Sequence, residues 1–194
     1  YVDALILANK LISENKKSKI LIVTSDTYSK FISPLDKSIL PLFGDGASAS
    51  IIQYDKNGWR VEKEFSESIP NTEENLILKE INGKKNISMK GPELINFAIK
   101  DIIPVLSNMI KNEKKITLFS HQASKIVLNI IKSQSLKINK DVEIPIYYKN
   151  IGNLVSTSIP VLINKNIKLF NKSKKILIFG FGVGLTHSYI KLKK

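Results

Sequence analysis

Three short segments in the second half of the chain carry the residue types that could do chemistry. They are Ser120-His121-Gln122-Ala123-Ser124, Gly152-Asn153-Leu154-Val155-Ser156-Thr157-Ser158-Ile159-Pro160 and Gly180-Phe181-Gly182-Val183-Gly184-Leu185-Thr186. Each stands at the end of a hydrophobic run that reads as a strand, or at the start of the helix that follows, where α/β folds commonly mount functional side chains. A neutral His121 imidazole could donate a hydrogen bond to a thioester or carboxylate oxygen; a histidine after a strand also serves as a helix-start or packing residue. The Asn153 amide could give a second fixed donor to a developing oxyanion without exchanging a proton, and it also suits a helix N-cap. Gly180, Gly182 and Gly184 let the backbone approach a ligand closely, so that the Val183 N–H could point into a site. A β-bulge or tight hairpin between the last two strands accounts for the same glycines. They form no dinucleotide fingerprint, because a strand and not a helix follows them. His187 reads as structural.

The rest of the composition narrows the possibilities. A chain of 194 residues, 43% apolar, can bury a proper core in one large domain or two small ones. No apolar run reaches the roughly 18 residues of a membrane span. The chain has no cysteine, which excludes disulfides and thiolate metal sites and suits a cytoplasmic protein. The net charge of +13 invites a nucleic-acid reading, but Arg60 is the only arginine among 30 basic residues and the lysines are scattered. Arginine is the residue that grips phosphate or guanine bidentately. No nucleic-acid partner is expected, and the lysine surface suits an acidic carrier protein or a nucleotide phosphate. Tyr1 followed by Asp3 resembles neither a signal peptide nor a natural start, so a fragment or processed piece is expected.

The periodicity predicts the elements that must position the three segments. Val2–Lys16 reads as an amphipathic helix, Lys19–Thr24 as a buried strand and Ser25–Leu40 as a polar connection. Phe43–Ser50 is a turn feeding a strand at Ile51-Ile52. Trp59–Phe65 is expected to pair with that strand as a hairpin across Asp55–Gly58. Residues 66–88 read as a loop. A helix opens at Gly91-Pro92-Glu93 and runs to about Lys111, disturbed at Pro104. Strand Lys115–Phe119, helix Gln122–Gln134, strand Glu143–Tyr148 and helix Asn153–Phe170 follow. Strand Lys175–Phe179, the glycine turn and strand Thr186–Lys191 close the chain. Alternating strands and helices predict an α/β layered fold. Residues 1–65 and the last four elements both run helix–strand–strand, which suggests a duplicated architecture.

Taken in order, the segments resemble the β-ketoacyl-acyl-carrier-protein synthase III family of the thiolase-like superfamily. The resemblance covers nearly the whole chain. It rests on Leu42-Phe43-Gly44-Asp45-Gly46-Ala47, Met89-Lys90-Gly91-Pro92-Glu93, His121-Gln122-Ala123, Gly152-Asn153 with Ser158-Ile159-Pro160, and Gly180–Thr186. It implies a thiolase-like layered αβαβα fold, of which residues 1–80 would end the N-terminal half and 81–194 form the C-terminal half. In such enzymes a cysteine at a helix N-terminus is acylated from a coenzyme A thioester. His and Asn then promote decarboxylation of a malonyl group, and the carbanion attacks the acyl-enzyme. Residue by residue, His121 and Asn153 take those roles and the Val183 backbone N–H falls at the oxyanion position. Lys37, Gln122, Ser124, Lys125, Gly152 and Gly182 are implied as substrate and carrier contacts. The family's cysteine lies a few residues before the helix that begins at Tyr1, so the nucleophile is expected in an N-terminal segment that this sequence lacks.

The resemblance further implies malonyl-acyl carrier protein, acyl carrier protein and an acyl-CoA or acyl-carrier thioester as partners. Coenzyme A or phosphopantetheine thioesters would be substrates, with no tightly bound cofactor and no metal. A homodimer is expected. Ser124, Ile126, Asp36-Lys37 and His187 stand where the family usually has Asn, Arg, Asp-Arg and Trp. Those departures suit a specialised relative. Hydroxymethylglutaryl-CoA synthases and plant-type polyketide synthases share the fold, but His-Gln-Ala and Ser-Ile-Pro favour the synthase III family. The alternative is a catalytically silent partner subunit that binds acyl carrier or braces an active homologue.

Overall fold

A computed structural model describes residues 1–81 and 83–194; Asn82, within the expected 66–88 loop, lies outside the described residues. The elements that hold the site together are eight strands and seven helices. The strands are β1 Lys19–Asp26, β2 Gly46–Gln53, β3 Arg60–Ser68, β4 Leu76–Ile81, β5 Lys84–Met89, β6 Ile116–Ser120, β7 Lys175–Gly182 and β8 Thr186–Lys193. The helices are α1 Val2–Glu14, α2 Gly91–Phe97, α3 Ile103–Ile110, α4 Lys125–Ile138, α5 Tyr148–Ile151, α6 Ser158–Lys165 and α7 Ile167–Lys172.

A four-stranded sheet in the order β3-β8-β7-β6 organises the core. β6 and β7 run parallel, β7 and β8 form an antiparallel hairpin, and β8 pairs antiparallel with β3. Side chains of β7 alternate between its faces, as a pleated strand requires. Leu177 and Phe179 meet Ile102, Leu106, Val127 and Ile131 of α3, α4 and the turn before α3. Ile176 and Ile178 meet Val2, Leu5, Ile159 and Leu162 of α1 and α6. α1 presents Val2, Leu5, Ala8 and Ile12 as one buried stripe. Beyond α1 and α6 lies the second sheet, β1 paired antiparallel with β2. The layers therefore run helix, sheet, helix, sheet. Gly180 lets α1 close onto the core sheet, because a Cβ there would stand 2.9 Å from Val2 Cγ2.

Several expectations are corrected. β3 does not pair with β2 across Asp55–Gly58; it joins β8 at the edge of the core sheet. The 66–88 stretch is no loop: β3 continues to Ser68, and β4 and β5 form an antiparallel hairpin with Gly83 at φ +72° in its turn. Glu143–Tyr148 makes a single bridge, Thr117 to Glu143, and Tyr148 opens α5. Pro145 lacks the N–H that a strand there would need. β1 is buried on one face only, leaving Leu21 and Val23 exposed. The helix from Gly91 does continue to Ile110, and its disturbance is a π-turn at Ala98–Ile102 just before Pro104. A widened turn there relieves the clash between the proline ring and the preceding turn.

One polar cluster ties β3, β7 and β8 to the end of α3. Glu113 accepts from Lys175 Nζ at 2.6 Å and from Lys191 Nζ, and Glu62 lies 3.8 Å from Lys191. Burial alone would raise the Glu113 pKa, but the two lysine ammoniums outweigh it and hold the carboxyl below its ordinary value. Glu113→Gln should therefore destabilise the fold by about 1–2 kcal/mol at neutral pH, read as a lower urea midpoint. A carboxylate with a lowered folded pKa stabilises above its unfolded value, so the difference from wild type should shrink as pH falls through that range.

Candidate active site

The three sequence segments meet around a central cavity of about 200 Å³. His121, Asn153, Gly182 and Val183 all line it, together with Tyr1, Val2 and Asp3 at the N-terminal end of α1. His121 follows directly on β6, where its N–H donates to Phe179 O at 2.9 Å and carries the β6–β7 pairing one residue further. Phe181 meets the imidazole edge-on, with ring centroids 5.1 Å apart, and fixes its plane. The side chain is buried, and burial lowers its pKa to about 4. The imidazole is therefore neutral at physiological pH.

Asn153 is held by a crossing of two backbones. Its N–H donates to Leu42 O at 2.8 Å and its carbonyl accepts from Gly44 N at 3.0 Å, forming a short parallel bridge at Phe43. The approach is close enough that a Cβ on Gly152 would lie 2.9 Å from Leu42 O, and one on Gly44 would overlap the Ile151 carbonyl oxygen. Gly152 also sits at φ +67°, ψ −159°, a region essentially reserved for glycine. The Asn153 Oδ1 accepts from Val155 N at 2.9 Å and Ser158 Oγ at 3.4 Å. With that oxygen engaged, the amide NH2 is the group left for the cavity; it donates to no protein acceptor among the described residues. Val155, β-branched yet at φ +53°, marks backbone strain in the same turn. Asp26 anchors the turn from β1, accepting from Ser156 N at 3.1 Å and from Ser156 Oγ.

The other residues singled out from the sequence divide sharply. Ser124 and Lys125 line a larger, mainly apolar cavity of about 390 Å³ that shares His121, Asn153, Phe181 and Gly182 with the central one. Ser124 caps α4 through Val127 N, so that helix starts at Lys125 and not at Gln122. Gln122 points away from both cavities. It is fully buried, donates to Ser120 O at 3.0 Å, and accepts from Tyr147 N and Tyr148 N. Its amide is engaged in holding the strand end. Gly152 likewise lines neither cavity and acts through backbone packing. Lys37 is exposed on the turn beside Ser38, and only Ser38 reaches the larger cavity. The glycine turn is a tight hairpin between β7 and β8, with Gly184 at φ +75°. His187 is buried against Phe179 and Phe65, in keeping with a structural residue.

Sequence reading missed Tyr28 and Leu76, which line the central cavity. Leu76 could have been found: Asn82-Gly83 between two apolar runs is a strong hairpin signal, and it predicts strands on either side.

The neutral state of His121 leads to a stability test. Its folded pKa is lowered from 6.5 to about 4, so the unfolded chain takes up the proton first as pH falls. Stability should be lost between those two values, by up to about 3 kcal/mol. His121→Gln should lack that component when urea midpoints at about pH 7 and pH 4.5 are compared with wild type.

Comparison with known proteins decides the family. The family model for 3-oxoacyl-[acyl-carrier-protein (ACP)] synthase III matches residues 1–68, and its C-terminal companion matches residues 107–193. The chain belongs to the 3-oxoacyl-[acyl-carrier-protein] synthase III family. The β-ketoacyl-[acyl-carrier-protein] synthase III of Streptococcus agalactiae is 30% identical over 216 residues, covering 100% of this chain and 64% of that protein. The chain thus spans about two thirds of the length of its curated relatives. The crystal structure of the synthase III from Aquifex aeolicus superposes with a TM-score of 0.85 at 25% identity, covering 100% of this chain and 64% of that one. A type III polyketide synthase domain from Dictyostelium shares the fold at 22% identity, with a TM-score of 0.77 over 100% of this chain and 58% of its own. The fold is thiolase-like. Among the described residues no helix is long and apolar enough to cross a membrane.

Proposed function

We propose that this chain supplies the decarboxylating and oxyanion-binding part of a condensing enzyme that joins an acyl thioester to malonyl-acyl carrier protein. The observation that carries this reading is that His121, Asn153 and Val183 line one cavity with the N-terminal end of α1. A cysteine from a segment outside this sequence, next to that helix end, would be acidified by the helix dipole. Its thiolate sulfur forms a bond to the acyl carbon as the bond to coenzyme A breaks, and coenzyme A leaves as its thiolate, which takes a proton from solvent. His121 Nε2–H or Nδ1–H and the Asn153 amide then donate to the thioester carbonyl of the malonyl group. The C–C bond to the carboxylate breaks, carbon dioxide departs, and the electron pair resides on the enolate those donors stabilise. Each such donor contributes about 3 kcal/mol. The carbanion attacks the acyl-enzyme carbonyl, whose oxyanion lies against the Val183 N–H, and the cysteine leaves as a thiolate. The proposed substrates are coenzyme A and phosphopantetheine thioesters, with no tightly bound cofactor.

Ser124 and Lys125 at the larger cavity support entry of the carrier arm on that side. A homodimer working in the cytoplasm, in fatty-acid or a specialised acyl pathway, is the setting this reading predicts. The test is carbon dioxide release from malonyl-acyl carrier protein by the complete protein, with the β-ketoacyl product identified by mass. Release coupled to product supports the reading. Binding of acyl carrier protein with neither release nor product overturns it in favour of a silent subunit.

A further inference from the structure

Lysines that stand far apart in the sequence gather at one end of the fold. The strand registers define that end. Ile116 of β6 aligns with Lys175 of β7, Lys175 with Lys193 of β8, and Lys193 with Arg60 of β3. This row closes the core sheet at the end opposite Gly182 and His121, and the length of β7 sets the two ends about 23 Å apart. Neighbouring elements finish on the same side. Asn139, just after α4, donates through Nδ2 to Ile110 O and Glu113 O beyond α3, and Lys194 N donates to Lys174 O. α1 runs towards this end too: Asp3 accepts from Ser66 Oγ, whereas Lys10 lies 3.8 Å from Glu64, nearer the start of β3.

The connections at this end expose lysine after lysine. Lys16 and Lys17 lie between α1 and β1, Lys56 between β2 and β3, Lys114 and Lys115 before β6, and Lys174 before β7. Glu113 and Glu62 are paired with Lys175, Lys191 and Lys193, and Glu14, Asp55, Asp141 and Glu143 are outnumbered. The other end shows that this is no uniform bias of composition. There residues 27–45 set Lys30 and Lys37 against Asp36 and Asp45, residues 69–75 carry Glu73 and Glu74 with no lysine, and residues 183–185 carry no charge.

We propose that the lysine-bearing end rests on an anionic lipid bilayer and holds the His121 end towards solution. Lysine is a compact, strongly hydrated charge, drawn to a diffuse negative surface; the bidentate grip on single phosphates belongs to arginine, and Arg60 is the only one. Tyr54 and Trp59 stand at the same end, and such amphipathic rings favour the headgroup level. Their faces are already occupied. Lys16 Nζ lies 4.8 Å over the Tyr54 ring and Lys194 Nζ 5.0 Å over that of Trp59, which Phe170 meets edge-on at 5.4 Å. Single-stranded nucleic acid would need those faces for base stacking. An acidic carrier protein fits this end no better, because its arm is proposed to enter at Ser124 and Lys125, on the opposite side. The inference stands independently of the condensing reading.

The test is co-sedimentation of the complete protein with phosphatidylcholine vesicles, either alone or with about one third phosphatidylglycerol, in about 0.1 M salt. Binding should require phosphatidylglycerol and be lost by about 0.5 M salt, where the field is screened within a few ångströms. Each lysine near the bilayer strengthens binding about fivefold, so Lys17→Gln, Lys114→Gln and Lys174→Gln together should weaken it about a hundredfold. All three side chains are exposed, so the urea midpoint should stay at its wild-type value. Lys30→Gln, Lys84→Gln and Lys85→Gln together remove the same charge away from this end and should weaken binding by less than about fivefold. No binding to the anionic vesicles overturns the proposal, and so does an equal loss in the two triple variants. A parallel titration with oligouridylate identifies the polyanion. Oligouridylate bound more tightly than the vesicles, and released by the first triple variant, would assign this end to nucleic acid and overturn the lipid surface.

Discussion

Replacing His121 with Ala in the complete protein should slow malonyl-thioester decarboxylation by about 10²–10³-fold, and Asn153→Ala should do the same. In the proposed reaction both are neutral, fixed donors on one carbonyl oxygen whose charge grows as carbon dioxide leaves. Burial keeps the imidazole uncharged, with its pKa near 4. Asn153 has its Oδ1 engaged by Val155 N–H and the Ser158 hydroxyl, which leaves the NH2 as its free end. Neither group needs rearrangement at the moment of reaction, which is the source of their effect. Acylation of the cysteine uses the thiolate and backbone donors, so intact mass should still show the acyl-enzyme in both variants. The double variant should cost less than the product of the two, because residues acting on one atom are not additive. Decarboxylation near the wild-type rate in both single variants would remove these roles.

The second large effect is on stability. Gly152→Ala should lower it by about 3 kcal/mol, measured as a fall in urea midpoint with unchanged slope. Alanine would have to adopt a backbone conformation essentially confined to glycine, with its Cβ 2.9 Å from Leu42 O. Gly44→Ala meets the same crossing from the other side, against the Ile151 carbonyl, and should cost about 2–3 kcal/mol. The two share a single close approach, so together they should cost less than their sum. Gly91 is the control, since a Cβ there has nothing within 4 Å. Decarboxylation should fall along with stability in the Gly152 variant, because the same hydrogen bonds seat Asn153. A Gly152→Ala protein as stable as the Gly91→Ala control would refute this account of the crossing.

What could be read from the sequence depended on the range of the interaction. α1, β6, β7 and the Pro104 disturbance were legible because periodicity and proline act within a few residues. The pairing of β3 was not. Asp55–Gly58 looks like a hairpin turn, yet Phe65 stacks with Tyr189 of β8 at 5.8 Å, a partner no local pattern reveals. The same holds within the site. His121, Gln122 and Ala123 were one motif in the sequence, and only the fold separates an imidazole facing the cavity from an amide locked to Tyr147 and Tyr148. Gly152 and Gly44 could be recognised as glycines in a motif, but the mutual contact that requires them joins segments about a hundred residues apart.

The β3–β8 pairing has a consequence during synthesis. Arg60 aligns with Lys193, so every hydrogen bond of β3 to its neighbour waits for the final strand of the core sheet to leave the ribosome. At about 5–20 residues per second that interval lasts on the order of ten seconds. During it β3 offers an unsatisfied edge, with Val61 and Phe65 lacking their later partners, a template for pairing with other nascent chains. Its Glu62, Lys63, Glu64 and Glu67 put charge along that edge. Those residues act as gatekeepers for a nascent strand whose partner does not yet exist.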